Sequence, residues 1–147
     1  MENAKFTGFL GRGWKFPPEF SRRDCGPLMS EAEQDIQESI IILLSTRMNE
    51  RIMQSRYGCD LNGEVFEAMN VTFLTMLKDH LAFSIRNYEP RVELIDIIMD
   101  TSGVYEGRVK IDVQYFIRNI NDRKNVVYPF YFKEGTNVSP ASFPADQ

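Results

Sequence analysis

The stretch Tyr88-Glu89-Pro90-Arg91-Val92 constrains this chain more than any other, because it joins the clearest helical pattern to the clearest strand pattern. A proline fixes its own backbone angle φ and disfavours helical geometry in the residue before it. A helix that arrives from residue 72 must therefore end near Tyr88, and the chain must leave the corner extended. Glu89 and Arg91 flank the proline, so a carboxylate and a guanidinium are predicted to be held there with little freedom.

Two interpretations of this corner compete. A guanidinium held in place can pair with a carboxylate of another chain through two hydrogen bonds, which would make the corner a docking point. The alternative is an ordinary surface salt bridge at a helix end, which contributes little to stability. From the corner alone the salt bridge is the favoured interpretation.

Two amphipathic helices are predicted up to the corner. Ser30 and Glu33 fit a capping box that opens the first helix, which runs to about Arg47. The second helix runs from Thr72 to Tyr88. In both, apolar residues recur at helical spacing and predict one core-facing side. These residues are Ile36, Ile40, Leu43 and Leu44 in the first helix and Leu74, Leu77, Leu81 and Ile85 in the second.

Three strands are predicted after the corner. Residues 91–100 carry apolar side chains on both faces, which is typical of a strand covered on both sides. By strict alternation one face holds Val92, Leu94 and Ile98, and the other holds Ile95, Ile97 and Met99. Residues 108–118 alternate between apolar and polar, which predicts that Val109, Ile111, Val113, Tyr115 and Ile117 point inward.

The third strand, Val126 to Phe132, contains Pro129. A proline cannot donate a hydrogen bond to a neighbouring strand and is tolerated mainly at a sheet edge. The strand is therefore predicted to lie at an edge, where another chain could pair with it.

A chain of 147 residues suits a single domain with a real core. The predicted fold class is α+β, with two main helices packed on a small, mainly antiparallel sheet of about three strands. Residues 1–29, rich in glycine, proline and aromatics, are predicted to form an extended N-terminal arm. Residues 30–134 form the single domain, and residues 135–147 a flexible tail.

Charge and hydropathy restrict the partners. The first 23 residues hold five basic and two acidic side chains, a charge of +3, which leaves −7 for the remainder of a chain whose net charge is −4. This basic arm could bind an acidic protein surface, but it is too sparse to favour nucleic acid. No run approaches the length of a membrane span and no secretory signal is visible, so no membrane contact and a cytoplasmic location are expected.

The sequence gives little support for a catalytic function. Cys59 and His80 could form a nucleophilic pair, but isolated residues of these types are common in any chain of this length. No motif with metal-ligand spacing occurs, and neither metal nor cofactor is predicted. A glycosidase needs two carboxylates across a cleft. Glu93 and Asp96 differ in strand parity and are expected on opposite faces.

Several segments together resemble a known family. They are Gly11-Arg12-Gly13-Trp14-Lys15-Phe16-Pro17-Pro18, the first helix from Asp35 to Arg47, residues 50–59, and above all Glu89-Pro90-Arg91. In this order, over roughly residues 8–133, they resemble the phage baseplate-wedge family. That family includes the sheath initiator of contractile phage tails and its counterparts in type VI secretion and related contractile injection systems.

The resemblance implies a structural protein, not an enzyme. Glu89, Pro90 and Arg91 carry over as the residues that dock on the larger baseplate wedge proteins. The family's C-terminal sheet accepts strands from sheath subunits, and Val126, Tyr128, Phe130 and Phe132 are the candidate pairing residues here. The resemblance further implies a sixfold assembly with one copy per wedge, with inner tube or hub proteins as additional candidate partners.

Two other functions stay open. Family members are often labelled tail lysozymes, so the chain could be a peptidoglycan hydrolase with Glu67 or Glu89 as the acid. It could instead be an adaptor that binds an acidic partner through its basic arm.

Overall fold

The computed structural model describes residues 10–59, 71–118 and 122–131. Four short strands come first: β1 (Arg12–Trp14), β2 (Phe20–Ser21), β3 (Gly26–Pro27) and β4 (Met29–Glu31). They are followed by helices α1 (Ala32–Ser45) and α2 (Val71–Tyr88), strand β5 (Val92–Asp100), a 3-10 turn (Val104–Glu106), and strands β6 (Arg108–Ile117) and β7 (Asp122–Tyr131). The start of the predicted arm, Glu67, Phe132 and the predicted tail lie outside the described residues.

Strands β5, β6 and β7 form an antiparallel sheet in that order, with β6 in the centre. The five odd-numbered apolar residues of β6, from Val109 to Ile117, are all at most 2% exposed, and the alternation predicted from the sequence is confirmed. A fully buried aliphatic side chain of this kind contributes about 1.5–3 kcal/mol relative to an exposed one.

Both helices pack on the inner face of this sheet. Helix α2 lies against β5, α1 lies against β7, and the two helices contact each other. Ile36 and Ile40 of α1 and Leu81 and Ile85 of α2 are fully buried, at the helical spacing that the sequence shows. The predicted α+β fold, with two helices on a three-stranded antiparallel sheet, is therefore confirmed.

Strand β5 differs from its prediction, because its register shifts between Leu94 and Asp96. This β-bulge inserts Ile95 as an extra residue and changes which positions face the core. Val92 and Ile97 are buried, whereas Ile95 and Ile98 are 46% and 47% exposed. The expectation of a strand covered on both sides is wrong.

The bulge also brings two carboxylates to the same side. Glu93 lies opposite Phe116, and Asp96 lies opposite Gln114, on one face of β6. The prediction that Glu93 and Asp96 face opposite ways is therefore wrong, since it assumed unbroken alternation.

Helix α1 begins without the predicted capping box. Ser30 belongs to β4, and the residue before the helix is Glu31, which makes no side-chain capping bond. The Ser30 hydroxyl instead donates to Glu38 Oε2 at 2.7 Å, so it joins a strand to the middle of the helix. The helix ends at Ser45, close to the predicted Arg47.

The segment predicted as an extended arm runs in extended strands that pair with each other. Strand β1 pairs with β4 and β2 pairs with β3, both antiparallel, so residues 12–31 fold back on themselves as one interrupted hairpin. Residue Leu10, just before this hairpin, is 1% exposed and belongs to the main core. We call residues 11–31 the N-terminal hairpin.

Candidate functional site

The corner between α2 and β5 forms where the sequence places it. The Glu89 amide donates to the Ile85 carbonyl at 2.9 Å, the last bond of helical spacing before Pro90, which has no N–H to continue the series. The Val92 amide then donates to the Glu89 carbonyl at 3.3 Å and β5 begins. The predicted helix end and extended exit are confirmed.

Arg91 is the centre of a network at this corner. Its Nε and Nη2 groups donate to the two carboxylate oxygens of Glu89, at 2.5 Å and 2.7 Å, which is a two-pronged ion pair. Its Nη1 group donates to Asp35 Oδ2 at 2.6 Å and to the Leu10 carbonyl at 2.7 Å. Four hydrogen bonds therefore tie one guanidinium to three separate segments, and we call this network the Arg91 clamp.

The clamp is poorly accessible to solvent. The Glu89 side chain is 3% exposed, that of Asp35 16% and that of Arg91 27%. The hydrogen bonds that Arg91 donates to Glu89, and more weakly the one to Asp35, raise the pKa of Arg91 against the opposing effect of burial. A buried carboxylate is stable only when it is paired and hydrogen-bonded, so each member of the clamp depends on the others.

Two glycines of the N-terminal hairpin make room for the clamp. Gly11 has φ +91°, and a Cβ atom there would lie 3.3 Å from Arg91 Nη1. A Cβ atom at Gly13 would lie 2.3 Å from Asp35 Oδ1, far inside contact distance. The hairpin can therefore lie against the clamp only because both positions lack a side chain.

A second carboxylate of α1 fixes the other part of the hairpin. Glu38 is 8% exposed and accepts hydrogen bonds from the Phe16 amide at 3.0 Å and the Ser30 hydroxyl at 2.7 Å, while Gln34 Nε2 donates to its other oxygen at 2.9 Å. Helix α1 thus binds the corner through Asp35 and the hairpin through Glu38.

An aromatic pair lies next to the corner. The rings of Tyr57 and Tyr88 meet edge to face with centroids 5.1 Å apart, and the Arg51 guanidinium lies 4.1 Å from the Tyr57 centroid. Burial raises the pKa of Tyr57, Arg51 lowers it, and the charge on Glu89 raises it. The loop after α1 therefore also reaches the corner.

The corner residues predicted from the sequence are brought together, but they face inward. Glu89 is almost completely buried and Arg91 is bound within the chain, while Pro90 between them is exposed. Asp35 and Glu38 were not singled out as site residues. The signal for them was two acidic side chains on the side of α1 that also carries buried Ile36 and Ile40.

The predicted pairing residues lie on an edge strand. Strand β7 pairs with β6 alone among the described residues, so the edge position predicted from Pro129 is confirmed. Val126 and Phe130 are buried at 2% and 4%, and Tyr128 is partly buried, so their side chains belong to the core. The exposed apolar side chains of this strand are Val127 and Tyr131, at 54% and 50%.

The candidate nucleophile Cys59 is buried and protonated. Burial raises the pKa of the Cys59 thiol to about 11, against a lowering by its hydrogen bond with Ser84, so almost none of it is thiolate at neutral pH. His80 is exposed on α2. Within the described ranges there is no group of three or more metal-ligating side chains placed to hold an ion.

No helix in the described part of the chain is long and apolar enough to span a membrane.

Comparison with known proteins gives one family. Residues 30–122, more than half of the chain, match the family described as "Baseplate wedge protein gp25". The baseplate wedge protein gp25 of Enterobacteria phage T4 is 28% identical over 64 residues, which cover 44% of this chain and 48% of that protein. The alignment thus spans only about half the length of this curated relative.

Two solved structures share the fold over most of their length. A chain of the cryo-EM structure of the anti-feeding prophage baseplate has a TM-score of 0.70 at 29% identity, covering 79% of this chain and 92% of that one. A crystal structure of a candidate tail lysozyme from Geobacter sulfurreducens has a TM-score of 0.67 at 40% identity, covering 73% of this chain and 96% of that one.

Proposed function

Because this chain belongs to the family of the baseplate wedge protein gp25, we propose that it is a non-catalytic baseplate component that docks on larger wedge proteins and starts sheath assembly by strand addition. The observation that carries the proposal is the contrast between a rigid corner and an edge strand paired on one side only. Assembly would take place in the cytoplasm, in a sixfold ring with one copy per wedge. Inner tube or hub proteins are additional candidate partners.

The corner supports docking through its shape. Glu89 and Arg91 are engaged within the chain, so they position the turn and do not offer free charges. Pro90 is exposed at its tip, and about a quarter of the Arg91 side chain remains accessible. Docking at the corner would thus use Pro90 and the open side of Arg91, both held rigidly by the clamp.

The edge strand supports strand addition through its main chain. Pro129 has no N–H, so it weakens the sheet least if its main-chain groups point away from β6. Since main-chain groups alternate in direction along a strand, Val127 and Tyr131 then also point outward, while Tyr128 points toward β6. An added strand would find N–H donors at Val127 and Tyr131, with no donor at Pro129 between them.

A lysozyme activity is the alternative that the similarity to the Geobacter protein raises. In such an enzyme one carboxyl group must reach the glycosidic oxygen and a second must lie across a cleft. Both oxygens of Glu89 accept hydrogen bonds from Arg91, and the side chain is 3% exposed. Glu89 is therefore a poor candidate for the acid, and Glu67 lies outside the described residues.

The proposal is tested by capture of the tagged chain from a host that makes the complete particle, followed by mass spectrometry. We expect the wild type to bring down wedge and sheath proteins together. Val127→Pro should keep the wedge proteins and lose the sheath, because it removes one outward donor. Pro90→Asp should lose the wedge proteins, because it changes the tip of the corner.

Two controls make the test decisive. Tyr128→Pro removes a donor that points toward β6, so it should lower the thermal midpoint more than Val127→Pro does. A glycan-cleavage assay on purified peptidoglycan should show no release of fragments. Recovery of neither wedge nor sheath proteins with the wild type, or release of fragments that Glu89→Gln abolishes, would refute the proposal.

A further inference from the structure

An open groove of about 680 Å³ lies directly beside the corner. The residues that line it come from the last turn of α2, the start of β5 and the end of β6 with the residue after it. Its lining residues are Arg86, Val92, Glu93, Leu94, Phe116 and Arg118. The amide of Arg118 donates to the carbonyl of Arg91 at 3.1 Å, so the groove and the corner share one piece of backbone.

The groove has a net positive charge. Arg86 and Arg118 are both exposed, and neither forms an ion pair with any residue that the structure describes. Of the eleven arginines in the described part, three have carboxylate partners, namely Arg12, Arg91 and Arg108, and the groove brings together two of the others. Two guanidiniums against the single carboxylate of Glu93 leave the groove positive in a chain whose net charge is −4.

The groove also has an apolar part. Leu94 pairs with core-facing Tyr115 and so lies on the helix-covered face of the sheet, whereas Phe116 lies opposite Glu93 on the other face. Phe116 is partly buried and is the apolar side chain that this open face offers to the groove. A ligand that only neutralised the arginines, such as a free anion, would leave this apolar surface wet. A segment that places an apolar side chain next to a carboxylate would satisfy both features.

We propose that this groove binds an acidic segment of a larger wedge protein, with a carboxylate between Arg86 and Arg118 and an apolar side chain against Phe116. This inference rests on the proposed function and names the partner chemistry of its docking face. The rigid corner then sets the direction in which the segment enters. Arg86 and Arg118 act as specificity determinants, because a basic or uncharged segment would leave two guanidiniums unpaired.

The test uses the full chain and synthetic peptides that tile the wedge proteins of its own host. Fluorescence polarisation should find binding peptides that contain Asp or Glu beside an apolar residue. Arg86→Glu and Arg118→Glu should each weaken binding roughly tenfold or more, because each replaces a charge-assisted pair with repulsion. Arg23→Glu, on the exposed turn of the N-terminal hairpin, is the matched charge reversal and should leave the affinity unchanged.

A charge exchange identifies the contact. When the critical acidic residue of the peptide is replaced by lysine, binding to the wild type should fall and binding to Arg118→Glu should recover. Both arginines are exposed and unpaired, so these variants should keep the wild-type circular dichroism spectrum. Peptides without acidic residues that bind as well, or equal affinity for Arg118→Glu and wild type, would overturn the inference.

Three further outcomes distinguish a failure of this inference from a failure of the proposed function. If inorganic phosphate at millimolar concentration displaces the peptides and binds alone with similar affinity, the groove is a simple anion site and the inference fails. If Arg86→Glu and Arg118→Glu still capture the wedge proteins from the host as the wild type does, the groove inference fails while the baseplate function stands. If the wild type captures none, the proposed function itself fails.

Discussion

The Arg91 clamp and the edge strand β7 use their polar groups in opposite ways. At the clamp, one guanidinium and two carboxylates satisfy one another within the chain, and only Pro90 is left exposed between them. Along β7, one side of the strand pairs with β6 and the other side pairs with no described residue. Both regions carry residues that the family resemblance marks for binding, yet only one has unused hydrogen-bonding capacity.

The difference teaches that a charged motif in a sequence is not necessarily a free charged surface. The clamp joins the corner to α1 and to the Leu10 carbonyl just before the N-terminal hairpin, so its charges are used within the fold. The surfaces that we propose for binding are the groove with Arg86 and Arg118, next to the clamp, and the unpaired edge of β7. In this proposal, the residues that make the corner rigid and the residues that bind partners are different ones.

The largest effect is expected from Arg91→Ala. This substitution leaves Glu89 and Asp35 partly or fully buried without their partner, which should cost about 3–5 kcal/mol of unfolding free energy. Urea denaturation measures the loss. Arg86→Ala is the control, and as an exposed, unpaired side chain it should change stability by at most about 0.5 kcal/mol. Equal stability of the two variants would mean that the clamp does not hold the fold together.

The second-largest effect is expected at alkaline pH, which should lower the free energy of unfolding by deprotonating buried side chains. Burial raises the pKa of Cys59 from 9.0 to about 11, so the unfolded thiol loses its proton first. The stability due to the neutral thiol is complete below about pH 9 and is lost as the pH approaches 11, an effect of about 2–3 kcal/mol. Burial likewise raises the pKa of Tyr115 to about 12.

Unfolding free energies measured from pH 8 to 12 check this. Cys59→Ala should flatten the fall between about pH 9 and 11, and Tyr115→Phe should flatten the fall above about pH 10. If the unfolding free energy of Cys59→Ala falls with pH as steeply as that of the wild type, the thiol is not the titrating group.

A smaller effect is expected where the N-terminal hairpin meets the clamp. Gly13→Ala puts a Cβ atom 2.3 Å from Asp35 Oδ1, so the hairpin or the helix must shift, at a cost of about 1–3 kcal/mol. Gly26→Ala is the matched control, because its nearest atom, the Asp24 carbonyl oxygen, lies at 3.6 Å. Thermal unfolding of both variants measures the difference, and similar midpoints would argue against close packing of the hairpin on α1.

The smallest effect is expected on the outer side of β7. Val127→Thr changes a side chain that is 54% exposed and should alter stability by no more than about 0.5 kcal/mol. Val126→Thr, one residue earlier and 2% exposed, buries a hydroxyl group and should cost about 1–3 kcal/mol. If the two variants unfold at the same denaturant concentration, the assignment of inner and outer faces on this strand is incorrect.

Local sequence patterns predicted the helices and strands well where a single physical cause, such as burial or a proline, set the pattern. The alternation in β6 and the helical spacing in α2 both reflect burial against a single core, and both are confirmed. Pro90 ended α2, and Pro129 indicated the sheet edge, because a missing N–H acts on the backbone wherever it occurs. In contrast, the start of β7 at Asp122 has no apolar pattern, since residues 122–125 are polar and are held extended by pairing with β6.

Other features depended on partners distant in sequence. The capping box at Ser30 and Glu33 was a sound local motif, but the Ser30 hydroxyl donates instead to Glu38 in the middle of α1. The bulge at Ile95 leaves no mark in the hydrophobic pattern, because isoleucine and leucine fit either face. The clamp joins residues 35, 89 and 91 and the carbonyl of residue 10, which no spacing rule connects.

The sequence by itself determined the two helices, the three main strands, the corner at Pro90 and the edge position of β7. These follow from backbone restrictions and from periodic burial, which act over a few neighbouring residues. Only the tertiary structure decided that Glu89 and Arg91 turn inward and that two unpaired arginines border a groove beside them. A charged side chain reaches several ångströms, and its partner is chosen by whichever segments the fold brings within that distance.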